Sequence, residues 1–139
     1  MEKLNEIELR NWVSKLNKVF YDKIYADPWL KKMFFMIDQR LIEAQQTDFM
    51  VGALGGPKNY SGRSPKDAHP HLYITEEIWL RREVHLKEAF AETQFPADLA
   101  EKWLRIDESF KRAIVKTSID ECQKRFYTDE VISIEKKVA

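Results

Sequence analysis

All four glycines of the chain, Gly52, Gly55, Gly56 and Gly62, fall inside one eleven-residue window. Three of the five prolines, Pro57, Pro65 and Pro70, lie within that window or just beyond it. Glycine and proline are the strongest local breakers of regular structure. Outside this region only Pro28 and Pro96 interrupt a chain of 139 residues. The pattern predicts helices on both sides of one central, irregular segment whose path is set by the backbone.

The arms carry helical periodicity. From about Leu9 to Tyr25, Trp12, Leu16, Val19, Phe20 and Ile24 recur on one stripe with lysines and Asp22 between them. Asp27-Pro28 ends that helix, and a short turn is expected to run to Phe34-Phe35. A second helix fits Gln39 to Leu54, with Leu41, Ile42, Gln45, Phe49 and Ala53 on a broad face and Gly55-Gly56-Pro57 as its stop. Ser64-Pro65-Lys66-Asp67 reads as an N-cap, a first helical proline and an acid at the positive helix end, in a turn finishing at His69. Thr75-Glu76-Glu77 opens a helix bearing Ile78, Trp79, Arg82, Leu86 and Phe90, with Arg82 read as a snorkelling side chain. Pro96 opens the last one, where Leu99, Trp103, Ile106, Phe110 and Ile114 are spaced by four, three, four and four. The expected fold is all-α, with residues 1–127 as one domain and 128–139 as a loosely attached tail.

Composition narrows the function. Lys plus Arg number 23 and Asp plus Glu 23, with no basic stripe, so a nucleic-acid partner is not expected. No stretch approaches the roughly 20 apolar residues of a membrane-spanning helix. A single cysteine, Cys122, rules out an intramolecular disulfide and suits a reducing compartment. The start of the chain has no apolar run of signal-peptide type, so a cytoplasmic protein is expected.

Three histidines are the candidate ligands: His69, His71 and His85. A zinc site wants three or four His, Cys or carboxylate ligands, and no H-E-x-x-H spacing exists here, so a three-histidine metal site is disfavoured. Gly52 to Lys58 lacks the order of a phosphate-binding loop and follows a helix rather than a strand. His69 stands apart, because it closes a short helix directly after the glycine-rich loop, while Phe20-Tyr21, Phe34-Phe35 and Phe49 supply aromatic surface. A neutral imidazole, apolar walls and a few polar groups are what a flat apolar cofactor such as haem needs.

Phe20-Tyr21-Asp22-Lys23-Ile24-Tyr25-Ala26-Asp27-Pro28-Trp29-Leu30 resembles the F-Y-x-x-[VI]-x-A-D-P-x-L segment of truncated haemoglobins, the two-over-two globins. Phe49 to Pro57, followed by Tyr60-Ser61-Gly62-Arg63, is similar to that family's F-x-x-x-A-L-G-G-P-x-x-Y-[TS]-G-R. Lys66-Asp67-Ala68-His69 resembles its K-x-[VA]-H. The order and spacing agree over roughly residues 10 to 115 and stand closest to group I. The chain departs from the pattern in having no glycine pair before Gly52 and no glycine shortly after His69.

The resemblance implies a two-over-two helical sandwich around haem b, with His69 as the iron ligand. It makes Tyr21 and Gln46 the distal hydrogen-bonding residues, with Ile42 in the place where other globins often carry a distal histidine. Phe34, or Phe35 beside it, would pack on the porphyrin, Phe49 and Trp79 would line the pocket, and Tyr60 and Arg63 would meet the propionates. His71 puts a second imidazole near the iron side. The implied function is reversible binding of O2, NO or CO. NO dioxygenation, or peroxidase-like turnover, would need an external reductase, since no flavin or nicotinamide motif is present. Two alternatives stay open: a haem-based gas or redox sensor or oxygen store without turnover, and a haem-free helical interaction module. In the sensor case, the tail from Thr128 would be the partner surface.

Overall fold

The computed structural model describes residues 4–58, 60, 62 and 64–134, apart from the side chains of Pro65 and Lys66. Among the described residues there are five α-helices: α1 Glu6–Ala26, α2 Gln39–Ala53, α3 Pro65–Ala68, α4 Glu76–Thr93 and α5 Ala97–Ile114. Single turns of 3-10 helix run over Leu30–Phe34 and Ile119–Glu121. α1 packs on both α2 and α4, and the short α3 packs on α5.

Local chemistry sets the helix ends. Asn5 caps α1, its side-chain oxygen accepting from the Glu8 N–H at 2.8 Å, which starts the helix earlier than its apolar stripe. Ser64 and Thr75 cap α3 and α4 as the sequence predicts, accepting from the N–H groups of Asp67 and Ile78. Gly55, at φ 100°, carries the left-handed turn that ends α2. A Cβ on Gly56 would come within 2.7 Å of Val51 Cγ1, so only glycine lets this loop lie against the helices.

The core runs along α1. Val13 and Leu16 of α1, Val51 of α2 and Leu86 of α4 are fully buried. Truncating such a side chain typically costs about 2–5 kcal/mol. Asn17 is buried among them and donates to Thr47 Oγ1 at 3.1 Å across the α1–α2 contact, which satisfies both polar groups. Trp12 and Val19, expected on the buried stripe, are only partly covered.

α2 departs further from its expected face. Its buried residues are Thr47, Met50 and Val51, whereas Leu41 and Gln45 are exposed. Ile42, Gln46 and Phe49 follow at spacings of four and three on a second, half-buried face. The helix therefore has one apolar side packed on protein and another only partly covered, and a single-stripe reading merges the two.

Within the expected tail of 128–139, the described residues, through Ile134, are tied to the domain. Ile132 donates its N–H to the His71 carbonyl at 2.9 Å and accepts from the Tyr73 N–H at 2.8 Å. Ile132 and Ile134 also pack against the core. The physical reason is pairing: isolated bridges join Leu72 to Ile132 and Ile74 to Val115, and such backbone partners have no periodic signature in the sequence.

Candidate functional site

Tyr21 comes from the C-terminal third of α1 and is 8% exposed. Its ring meets Phe20 at 4.9 Å and Phe34 at 6.0 Å, both edge-on. Burial pushes the phenol far above its ordinary range, so the hydroxyl stays protonated and is available as a donor. Among the described residues that hydroxyl makes no hydrogen bond. The oxygen keeps accessible surface, so this hydroxyl is free to donate to an incoming acceptor. The half-buried Gln46 amide likewise bonds to no described residue.

The aromatic walls sort themselves by exposure. Phe34 packs between Tyr21 and Tyr25, at 6.0 and 5.4 Å, whereas Phe35 is 78% exposed and is not a wall residue. The reason is the turn after the 3-10 helix, where Phe35 leaves helical geometry and Met36 adopts φ 60°. Phe49 contacts Tyr60 at 5.3 Å and Phe110 of α5 at 6.1 Å. Ile42 is half-buried beside them in sequence register. Trp79 is buried, and its indole N–H is committed to Glu83 at 3.0 Å, which leaves only its ring for other contacts. Arg63 lies outside the described residues.

His69 is the C-cap of α3 and half-buried. Its carbonyl accepts from the Leu72 N–H at 3.0 Å and from the Lys116 ammonium at 3.0 Å. Lys116 is itself buried, and the same ammonium also bonds the carbonyls of Leu72 and Ile114 at 2.7 and 3.1 Å. Burial lowers its pKa, the cost of placing a cation there, and three carbonyl partners offset that cost. Sequence reading missed Lys116. Its only signal was a lysine just past the end of an amphipathic helix.

The other histidines do different work. His71 is buried, with Nδ1 unpartnered; burial lowers its pKa and keeps it neutral, and the charged groups it feels are Arg125, Asp129 and Lys116 of the C-terminal segment. His85 is half-buried, and its Nε2 sits 2.7 Å from Asp27 Oδ2. Asp27 also accepts from Arg81 Nε at 2.8 Å and from the N–H groups of Trp29 and Leu30. Burial would raise the Asp27 pKa, but these four donors outweigh it and hold the carboxyl far below its usual range. This hub ties the end of α1 to α4. Among the described residues, no three His, Cys, Asp or Glu side chains are grouped to hold a metal ion.

Arg82 is not a snorkelling side chain. Its guanidinium lies 4.9 Å from the Trp79 ring and 5.4 Å from the Phe20 ring, and Nη1 donates to the buried Asp107 at 3.0 Å. The pair was illegible because Asp107 occupies a core position of α5 that an apolar pattern skips.

The model of the bacterial-like globin family matches residues 4–128 of the chain. The chain belongs to this family. Among similar proteins, this globin is 41% identical to the group 1 truncated hemoglobin of Tetrahymena pyriformis over 56 residues, 40% of this chain and 46% of that protein. It is 31% identical over 85 residues to group 1 truncated hemoglobin LI410 of Chlamydomonas moewusii, 59% of this chain and 50% of that protein. The chain thus spans about half the length of these relatives. The solved truncated hemoglobin of T. pyriformis in its Fe(III) form superposes with a TM-score of 0.70 at 22% identity, covering 82% of this chain and all of that one. The all-α truncated-globin fold expected from the sequence is therefore the fold observed.

A globin family implies haem, and the donor set of this globin suits it. An imidazole at a helix end, partly covered apolar side chains on α2 and a phenol hydroxyl bonded to no described residue are the kinds of group that hold a flat apolar cofactor with a polar ligand at its centre. Among the described residues no helix is long and apolar enough to cross a membrane.

Proposed function

We propose that this globin binds haem b through His69 and reversibly takes up O2 and other diatomic gases. The Tyr21 hydroxyl, kept protonated by burial of its side chain and bonded to no described residue, carries the reading. Haem supplies an iron centre with a coordination position open to a gas molecule. His69 must ligate as the neutral imidazole, and the Lys116 and Leu72 bonds to its carbonyl hold the backbone that aims it. Tyr21 and Gln46 donate to a polar ligand, and in a dry pocket such donors slow its release. Phe34, Ile42, Phe49 and Trp79 exclude water, and Tyr60 and Arg63 would meet the propionates at the rim.

One cysteine cannot supply the C-x-x-C-H pair that anchors a c-type haem, which supports the non-covalent type b. Turnover at this site, NO dioxygenation included, requires electrons from an external reductase. The lone thiol of Cys122 agrees with a cytoplasmic setting.

The test is the visible spectrum of haem-reconstituted protein beside His69→Ala. The expected result is a strong Soret band that shifts with CO, and altered iron coordination in the variant. If the wild type takes up no stoichiometric haem, the proposal fails and a helical interaction module remains.

A further inference from the structure

Each of the six residues from His69 to Ile74 bonds, through a main-chain N–H or carbonyl, to the segment that follows α5. The Lys116 ammonium donates to the carbonyls of His69 and Leu72 at 3.0 and 2.7 Å, and the Lys116 backbone N–H donates to the Ile74 carbonyl at 2.8 Å. The Gln123 N–H donates to the Pro70 carbonyl at 2.8 Å. Ile132 donates to the His71 carbonyl at 2.9 Å and accepts from the Tyr73 N–H at 2.8 Å. Two further backbone bonds, from Leu72 to His69 and from Ile74 to Leu72, lie within 69–74 itself, so the later segment supplies most of what fixes its path. That segment is organised in its own right. Asp129 accepts from the backbone N–H and from Nε of Arg125, at 2.8 and 2.9 Å, which closes the turn between Gln123 and Ile132. Ile132 and Ile134 then pack its far end against the core. Residues 115–134 form a strap over the chain that leads away from the His69 imidazole.

We infer that this strap is a regulatory element coupled to the gas ligand through the His69–Ile74 backbone: gas uptake loosens the strap, and loosening the strap raises the affinity for gas. The two effects are one coupling free energy seen from either end, because coupling between sites is reciprocal. Its sign follows from the bonds. A ligand on the opposite side of the metal alters the bond to His69, and the histidine follows only by moving backbone that the strap holds in place. Release of the strap therefore removes an opposition to binding. The inference rests on the proposed haem site.

The experiment follows amide hydrogen exchange, peptide by peptide, in the ferrous haem-loaded full chain with and without CO. In wild type, exchange over 69–74 and 115–134 is expected to be about fivefold faster with CO bound, while peptides from the first half of α1 stay within about twofold. Ile132→Pro removes the N–H given to the His71 carbonyl and leaves every residue of the proposed site in place. It should bind CO about threefold more tightly, as for one lost hydrogen bond, whereas Ile132→Val keeps that N–H and should match wild type. Equal exchange in the two forms, or an acceleration spread evenly over the whole chain, overturns this inference and leaves the haem site standing. Unchanged or weaker CO binding by Ile132→Pro with an intact Soret band does the same. Absence of a Soret band in the wild type overturns both. If Ile132→Pro does not fold, the wild-type exchange comparison decides, since it needs no variant.

Discussion

Tyr21 rides in the last third of a 21-residue helix that packs on two others, whereas His69 closes a helix of four residues. The Tyr21 side, distal in the proposed site, is held by side chains: rings around Tyr21, the Arg82–Asp107 pair between α4 and α5, and the Asp27 hub that ties α1 to α4. The His69 side, proximal in the proposed site, is held by bonds to backbone. Lys116 bonds the carbonyls of His69 and Leu72, Gln123 donates to the Pro70 carbonyl, and Ile132 brackets His71 and Tyr73. A four-residue helix has almost no internal hydrogen bonding, so its position must be imposed from outside. The lesson is that the two faces respond to different mutations, side-chain truncation on one and loss of backbone partners on the other.

The largest effect should come from breaking the distal frame. Asp107→Leu alone strands the Arg82 cation and is expected to cost about 3–5 kcal/mol in urea unfolding, with most of it recovered when Arg82→Leu is added. A single variant as stable as wild type would remove the buried pair from this picture. Next comes acid. The Asp27 carboxyl has a folded pKa below its unfolded one, so its stabilisation is present in full above the unfolded carboxylate range and is lost as pH falls through the folded value. Urea midpoints measured from about pH 6 down to about pH 2 should fall in wild type, and Asp27→Asn should flatten part of that acid limb.

The proximal counterpart is Lys116→Met. It removes one donor from three carbonyls, of which those of His69 and Leu72 keep a backbone N–H, and should cost about 1–2 kcal/mol. The sharper readout is the iron–histidine stretching band of the ferrous haem-loaded protein, expected to move in Lys116→Met and to stay in place in Tyr21→Phe. Movement in neither variant would detach Lys116 from the aim of His69. The smallest effect is kinetic. Tyr21→Phe should speed O2 dissociation about tenfold, as for one lost hydrogen bond, with stability within about 1 kcal/mol of wild type. A slower dissociation in that variant would contradict the distal donor role.

Helix existence was legible because amphipathic spacing and capping are local. Ser64, Thr75 and the glycine window marked their elements, and the observed helices follow those marks. The α2 face was misjudged because two apolar faces on one helix sum to a single broad stripe, and Leu41 and Gln45 fell on its solvent edge. Phe34 and Phe35 were indistinguishable by composition, and one backbone turn at Met36 decided between them. Arg82, Asp107 and Lys116 read as ordinary charges because burial is a property of neighbours far along the chain, 25 residues for the pair and 47 for Lys116 and His69.

By itself the sequence determined the helical arms, the glycine-bound break between them and the family to which the chain belongs. These depend on periodicity, on caps and on motif order, all of which are written along the backbone. Only the tertiary structure decided which charges go inside, which phenylalanine meets Tyr21 and what holds the segment bearing His69. Those outcomes rest on hydrogen bonds and desolvation between residues distant in sequence, and no local pattern encodes the partner of a buried charge.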